Sequence, residues 1–156
     1  MKQKKIIPVI AGVVAAIIIA SIAYFYYEQN PKEIKEQWVT SGPFSIDKPR
    51  YRLGENIFMV VEGLKPNEAG DIIFVLPDGR TYTTIPFNGT MKSEFKQYFT
   101  PDTSAAKKIF NPEELAGTWK VVFQGVSYRP INFEIANEFI PGAERYITVI
   151  PTNSTK

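Results

Sequence analysis

The residues of this chain that we consider as candidates for chemistry are carboxylates, since the sequence contains no histidine and no cysteine. Without an imidazole or a thiol, the chain cannot assemble a Ser-His-Asp or Cys-His catalytic unit. It also lacks the ligands of structural zinc, blue copper, iron–sulfur and haem sites. Oxygen sites for Ca²⁺ or Mg²⁺ remain open. The acids considered for such a site are Asp71, Asp78, Asp102, Glu113 and Glu114.

These carboxylates follow no ligand or catalytic spacing. The sequence has no D-x-D-x-D-G run of the kind that forms a calcium loop. No two acids are marked as the pair that a glycoside hydrolase requires. Glu113 and Glu114 follow Asn111 and Pro112, which favours a short helix with acids in its first turn. We therefore predict no catalytic residue, no metal site, no cofactor and no enzymatic activity.

The charge of the chain argues against nucleic acid as a partner. The formal net charge is +2, from 18 basic and 16 acidic residues. Lys2, Lys4 and Lys5 lie ahead of an apolar stretch, and leaving these three out of the 18 leaves 15 basic against 16 acidic residues. The remaining chain is nearly neutral and mixed in sign, which is unlike the basic surface of a nucleic-acid-binding protein.

The N-terminal stretch has the length of a membrane span. Residues 6–27 are 22 residues without a charge. As a helix they would be roughly 33 Å long, enough to cross the hydrocarbon core of a bilayer. The lysines before it indicate a cytoplasmic N-terminus. We predict a single-pass protein of the cell membrane, with residues 1–5 as a cytoplasmic tail, 6–27 as a transmembrane helix and the C-terminal part extracytoplasmic.

Two other interpretations of this stretch stay open. A cleaved signal peptide would fit the small residues of Ser-Ile-Ala before Tyr24, although the apolar run exceeds the usual length of roughly 7–15 residues. A pilin-like filament subunit would also combine an apolar N-terminal helix with a β-rich head, although no glycine lies at the expected processing junction in Gln-Lys-Lys-Ile-Ile-Pro. If the helix is retained, small residues give it a face for close packing against another helix. That face consists of Gly12, Ala16, Ala20 and Ala23.

Residues 28–42 are predicted to form a juxtamembrane helical stalk. Asn30 is a candidate N-cap, and Pro31 suits the first helical position. Ile34 and Trp38 are four residues apart and would share a helix face. Trp38 is therefore either a contact with a neighbouring subunit or a side chain that packs on the outer domain or on lipid headgroups.

From residue 43 to 137 the sequence predicts an antiparallel β-sandwich. Short alternating runs are separated by turn residues, which is typical of all-β domains. Pro77-Asp78-Gly79 is one such turn, because proline presets one backbone angle and glycine supplies a positive φ. We count seven strands, enough for two packed sheets, and expect a mainly β domain.

Four runs of this domain follow the pattern of a known class of module, namely YRLGENIFMVVEG, VLPDGR, GTWKVVFQG and FEI. With these runs the domain resembles the Ig-like modules of prokaryotic, and especially archaeal, membrane-anchored envelope proteins, including the macroglobulin type. The matching positions are Tyr51, Gly54, Glu55, Gly63, Pro77, Gly79, Gly117, Trp119, Val121, Phe133 and Ile135. The resemblance implies an Ig-like fold and a role in adhesion, scaffolding or complex assembly. The thioester of some macroglobulins requires a cysteine and is not implied here.

Trp119 is predicted to pack between the two sheets. In Thr-Trp-Lys-Val-Val-Phe-Gln, Trp119, Val121 and Phe123 share one face of a strand, and the polar residues lie on the other. Stacking on a ligand is the alternative. The predicted core consists of Phe58, Phe74, Trp119, Val121, Phe123 and Phe133.

Two further features could modify or extend the domain. Asn88 and Asn153 lie in N-x-S/T sequons and are candidate glycosylation sites, although the first sequon would also suit a simple turn. Residues 138–156 are too apolar for a free tail. They could add a strand to the domain or bind a partner through Tyr146, Ile147 and Val149.

The sequence leaves three functions open. The first is a non-enzymatic single-pass membrane protein whose extracytoplasmic Ig-like domain binds other membrane or envelope proteins, or envelope polymer. The second is an accessory subunit of an integral membrane complex, such as a membrane enzyme, held through its helix and Trp38. The third is the pilin-like filament subunit.

Overall fold

The computed structural model of the chain describes Ile19, Ser21 and residues 38–152. The chain divides into two compact units, Met1–Glu36 and Gln37–Lys156. Of the first unit only Ile19 and Ser21 are described, and both are helical. The rest of the predicted transmembrane segment 6–27 lies outside the described residues. Among those that are described, no helix has the length and apolar character needed to cross a membrane.

Residues 38–152 form a mainly β unit with nine strands and two short 3₁₀ helices. The strands are β1 (Val39–Ser41), β2 (Phe44–Ile46), β3 (Arg50–Leu53), β4 (Ile57–Val61), β5 (Ala69–Val75), β6 (Thr81–Asn88), β7 (Phe95–Phe99), β8 (Gly117–Gln124) and β9 (Ile131–Phe139). The 3₁₀ helices are Pro112–Leu115 and Ala143–Arg145.

The strands form two sheets that pack face to face. One sheet has four strands in the order β1-β2-β4-β7, and the other has five in the order β3-β9-β8-β5-β6. Every pairing is antiparallel except β3 with β9, which is parallel. The mainly β prediction is confirmed, while the count of seven strands and the purely antiparallel pairing are wrong. The two extra strands, β1 and β3, are too short for a period of two to stand out.

Aromatic side chains from both sheets meet in the core. The Phe44 ring of the four-stranded sheet stacks on Phe123 of the five-stranded sheet with 4.1 Å between centroids. Phe99 and Phe74 make a similar contact, edge to face at 4.8 Å. Five of the six predicted core residues are buried, namely Phe74, Trp119, Val121, Phe123 and Phe133.

Trp119 is fully buried and has a polar partner. Its indole packs edge to face against Tyr82 at 5.1 Å and stacks on Phe133 at 5.7 Å. The indole N–H donates to the carbonyl oxygen of Leu115 at 2.7 Å, so the one polar atom of the side chain is satisfied. Leu115 ends the 3₁₀ helix that precedes β8. Trp119 thus links that helix to the core.

The turn after β3 explains why the sequence has tyrosine, glycine and glutamate there. The buried Tyr51 hydroxyl donates to Asp47 Oδ1 at 2.6 Å. Burial, and then the adjacent Asp47 carboxylate, raise the pKa of Tyr51 far above its usual range. Gly54 adopts a φ of 89°, and a Cβ there would collide with Ala143. Glu55 accepts a hydrogen bond from the Arg52 backbone N–H at 3.2 Å, which closes the turn.

The predicted stalk helix does not extend to residue 42. Residues 28–37 lie outside the described residues, but Val39–Ser41 is strand β1, paired with β2. Val39 and Thr40 are β-branched, which favours a strand, and Val39 packs against the core. The backbone thus gains sheet hydrogen bonds that a helix ending at Gly42 would not give it.

The C-terminal extension forms no extra strand among residues 140–152. β9 runs to Phe139, and the following 3₁₀ helix is preceded by Gly142 at a φ of 89°. The alternating apolar residues do not pair with a sheet edge. Ile147 is buried in the core, and the Ile150 N–H donates to the Phe110 carbonyl at 2.7 Å.

Candidate interaction surfaces

The carboxylates considered for metal binding are not gathered into a site. Asp78 accepts a hydrogen bond from Arg80 Nε at 2.6 Å, and Glu114 accepts one from Arg80 Nη2 at 2.9 Å. Within 38–152, no group of three or more acidic side chains is placed to hold a metal ion. Asp71, Asp102 and Glu113 are not part of such a group, and none of them is ion-paired with another described residue.

Arg80 instead forms hydrogen bonds to three loops at one end of the sandwich. It directly precedes strand β6 and donates to the Lys108 carbonyl at 2.7 Å. Glu114, in the 3₁₀ helix, also accepts hydrogen bonds from the N–H groups of Phe110 at 2.8 Å and Asn111 at 3.0 Å. These N–H groups, and then Arg80, hold the pKa of Glu114 below its usual range. Asp78, Arg80 and Glu114 thus stabilise the loops, which is a structural role.

The outer face of the four-stranded sheet carries a row of aromatic side chains. Trp38 and Phe58 contact each other edge to face at 6.0 Å, and Phe58 lies opposite Tyr98 in the register of β4 and β7. We call these three residues the aromatic row. Trp38 is 42% exposed and Tyr98 is 69% exposed. Large aromatic side chains that stay in solvent on one face are typical of interaction surfaces.

A shallow cleft of 370 Å³ lies along the aromatic row. Val60 and Thr40 line it beside Trp38 and Phe58. A cation and an anion, Lys96 and Glu62, also line it. Neither is ion-paired with another described residue. An apolar floor with unpaired charges at its margin can supply both contact area and orientation to a ligand.

The outer face of the five-stranded sheet is different. Arg50 and Glu134 lie opposite each other on β3 and β9, with 3.8 Å between guanidinium and carboxylate. Lys120 and Asn132 are paired on β8 and β9 and exposed. Charged and amide side chains of this kind are typical of a solvated surface.

Phe58 was predicted in the core, and this is wrong. Ile57, Met59 and Val61 are the buried residues of β4, and Phe58 lies half-buried on the opposite face. The run Ile-Phe-Met-Val-Val is apolar at every position, so alternation alone cannot assign its faces. Tyr98 was missed as a surface residue. Lys96 lies on the same face of β7 and could have identified Tyr98 as exposed. A charged residue indicates which alternate side chains of a strand point to solvent.

The predicted partner contacts of the C-terminal extension fall into two classes. Tyr146 is 60% exposed and Val149 is 62% exposed, so both are accessible to a partner. Ile147 is 1% exposed and belongs to the core cluster. Ile147 as a partner contact is therefore wrong.

Of the two sequons, one can be located. Asn88 is exposed at the end of β6. Its side-chain oxygen accepts a hydrogen bond from the Thr90 N–H at 2.9 Å, and the Thr90 hydroxyl donates to the Pro66 carbonyl at 2.5 Å. The Asn88 sequon thus forms an ordered surface turn with its asparagine accessible. Asn153 lies outside the described residues, as does the predicted helix-packing face of Gly12, Ala16, Ala20 and Ala23.

A second concavity, of 610 Å³, lies between the edge strands β6 and β7. Its lining is mainly apolar, with Ile85 and Phe87 from β6 and Phe95 from β7. Met91, in the connecting loop, is 84% exposed beside it. We call this the edge groove.

Compared with known proteins, the chain matches no protein-family model and no curated protein sequence.

Proposed function

We propose that this chain is a non-enzymatic, single-pass membrane protein whose extracytoplasmic β-sandwich binds another membrane or envelope protein through the aromatic row. The observation that carries the proposal is the exposure of Trp38 and Tyr98 on one face of the four-stranded sheet. A protein partner is favoured over a glycan because Trp38 and Phe58 meet at 70°, whereas a sugar ring stacks on a flat aromatic platform.

The strand order supports an Ig-like type for this sandwich. The order β9-β8-β5-β6 matches that of the G, F, C and C′ strands in variable-type Ig domains. The first two described strands, β1 and β2, also lie in one sheet, and the chain then crosses to the other sheet with β3. Modules of this architecture present large surfaces on the outside of cells, which agrees with the resemblance to envelope proteins.

The predicted anchor supports the membrane location. The uncharged segment 6–27 would leave the bilayer at Tyr27, and Trp38 follows eleven residues later. Eleven residues reach at most about 40 Å when extended. If the anchor is as predicted, the chain between the bilayer and Trp38 is therefore short, and other membrane proteins are within reach of the aromatic row.

The same proximity favours a second candidate function, an accessory subunit of an integral membrane complex. In that case the anchor packs against other helices through Gly12, Ala16, Ala20 and Ala23, and the aromatic row contacts the extracytoplasmic part of the complex. Replacing residues 6–27 by a polyleucine helix of the same length separates the two functions. A simple anchor tolerates the replacement, whereas a subunit leaves its complex.

The test of the binding face uses two matched tyrosines. Tyr98 and Tyr146 are similarly exposed, but only Tyr98 belongs to the aromatic row. Full-length Tyr98→Ser and Tyr146→Ser are expressed in the source cells, and gently solubilised membranes are separated by native electrophoresis with mass spectrometry of each band. We expect Tyr98→Ser to lose the co-migrating partner and Tyr146→Ser to retain it.

Two results would overturn this proposal. Loss of the partner in Tyr146→Ser alone would move the binding surface to the C-terminal extension. Migration of the wild-type chain without any other protein would leave no partner for the aromatic row to bind.

A further inference from the structure

The sandwich has four strand edges, and three of them are blunted. β1 has three residues and β3 has four, and β3 carries the exposed charges Arg50 and Arg52. β6 contains Pro86, which lacks the N–H needed to pair with a further strand. Native sheets use these devices to prevent edge-to-edge association. The edge strand β7, with sequence Phe-Lys-Gln-Tyr-Phe, contains no proline and no bulge in its pairing with β4.

Backbone hydrogen bonds of the neighbouring strand β4 determine which backbone groups of β7 face outward. The Asp47 N–H donates to the Phe58 carbonyl, and the Glu62 N–H donates to the Pro43 carbonyl, so Phe58 and Glu62 direct their backbone groups toward β2 and the residues on either side of it. Backbone groups alternate in direction along an antiparallel ladder. The odd-numbered residues of β4, including Met59, therefore bond to β7.

On β7, the residues in register with those positions are Phe95, Gln97 and Phe99. The N–H and C=O groups of Lys96 and Tyr98 thus point away from β4. The side-chain amide of Gln97 lies 3.5 Å from the Tyr98 carbonyl, a long contact that fits an outward carbonyl without a strand partner. No other strand among residues 38–152 pairs with this edge.

We propose that β7 pairs with β7 of a second copy of this chain, antiparallel about a two-fold axis at Gln97, to form a dimer with a continuous eight-stranded sheet. The sequence of β7 is nearly palindromic around Gln97. The two-fold therefore places Phe95 opposite Phe99 of the second copy, and Lys96 opposite Tyr98 of the second copy.

Charge and ring chemistry are complementary in this register. Lys96 has no ion-pair partner among the described residues, and it would lie beside the exposed Tyr98 ring of the second copy. A register centred on Lys96 would instead oppose two lysines, which is unfavourable. Lys96 thus disfavours the register centred on itself and permits the one centred on Gln97.

The edge groove is the second support. Phe95 lines this groove, which runs beside the free edge of β7. A strand added to β7 would cover the groove and bury apolar side chains such as Ile85 and Phe95, which are now only partly buried. A second copy therefore satisfies both the outward backbone groups and the apolar lining, which a ligand without a strand would not.

The experiment uses the absence of cysteine in the full-length chain. In the proposed dimer, Gln97 lies opposite Gln97 of the second copy at a non-hydrogen-bonded position. Cα atoms at such positions are about 4.5 Å apart, so a disulfide can form between cysteines placed there. We expect Gln97→Cys, in native membranes under mild oxidation, to form a dimer at twice the monomer mass. Lys96→Cys is the control, because its thiol is more exposed but lies diagonally from its counterpart, at about 7–8 Å.

A third variant tests pairing separately from folding. Lys96→Pro in the Gln97→Cys background removes an outward N–H while sparing the bonds to β4, and we expect loss of the dimer with a cooperative melt retained. Equal cross-linking of Lys96→Cys and Gln97→Cys would overturn the proposal, since random collision gives that result. A monomeric Gln97→Cys, or cross-linking that survives Lys96→Pro, would also overturn it.

Discussion

The two tryptophans of this chain have opposite roles. Trp119 is fully buried between Tyr82 and Phe133, and its N–H is bound by the Leu115 carbonyl. Trp38 is 42% exposed and contacts one aromatic ring, Phe58, at its edge. The difference shows that the role of a large aromatic residue depends on which face of the sheet it lies against. On the inner face tryptophan stabilises the sandwich, and on the outer face it remains available to a partner.

The largest effect on stability is expected when the buried indole is removed. We expect Trp119→Ala to lower the free energy of unfolding by about 3–5 kcal/mol, because it leaves a cavity and an unpaired Leu115 carbonyl. Chemical denaturation monitored by circular dichroism measures the change. A loss below about 1 kcal/mol would show that Trp119 does not organise the core.

A smaller effect is expected where the core has a polar contact. Tyr51→Phe keeps the ring against Phe133 and removes only the hydroxyl that donates to Asp47. Hydrogen bonds to charged groups contribute about 1.5–3 kcal/mol, and we expect a loss of unfolding free energy within that range. Asp47→Asn in the same background provides a double-mutant cycle. Additive effects of the two substitutions would contradict a direct contact.

Acid should weaken the loop end of the sandwich. The folded pKa of Glu114 is lowered by the N–H groups of Phe110 and Asn111 and by Arg80, so its contribution is present at neutral pH. That contribution is lost as pH falls below about 4.3, the ordinary pKa of glutamate, and through the lower folded value. We expect Glu114→Gln to be less stable than wild type at pH 7 and to converge with it in acid. Thermal melts from pH 7 to pH 2.5 measure this, and a difference that is constant with pH would contradict it.

The smallest effect on stability is expected at the outer face. Trp38→Ala removes one edge-to-face contact, which contributes about 0.5–1.5 kcal/mol beyond the apolar area that it buries. We expect the melting transition to stay cooperative while partner binding is lost, the reverse of Trp119→Ala. Thermal denaturation alongside native electrophoresis provides both readouts. Unfolding of Trp38→Ala would make the first tryptophan a structural residue like the second.

The sequence predicted most where strand alternation was marked by charge. Lys120 and Gln124 identify the outward face of β8, and Trp119 was therefore placed correctly. In β4 no polar residue interrupts the apolar run, so Phe58 was assigned to the wrong face. β3 is four residues long, and nothing in so short a run distinguishes a parallel from an antiparallel partner.

The candidate surface was only partly predictable. Trp38 was singled out because it would share a predicted helix face with Ile34, but in the structure it directly precedes strand β1. Ile147 was taken for a partner contact because the alternation around it suggested a strand. Neither alternation nor composition reveals that a loop residue can fill the core alone, since that depends on the space left between the sheets.

The parallel pairing of β3 with β9 has a mechanical consequence. Because these strands run the same way, a pull between Arg50 and Phe139 loads their hydrogen bonds together, in shear. β1 and β2 pair as an antiparallel hairpin, so a pull on Val39 opens that hairpin one pair at a time. Force spectroscopy on the full chain should therefore record an early, weak extension followed by one high-force event. In the membrane-anchored protein that we propose, tension at the N-terminal end would open strand β1 first and leave the rest of the sandwich closed.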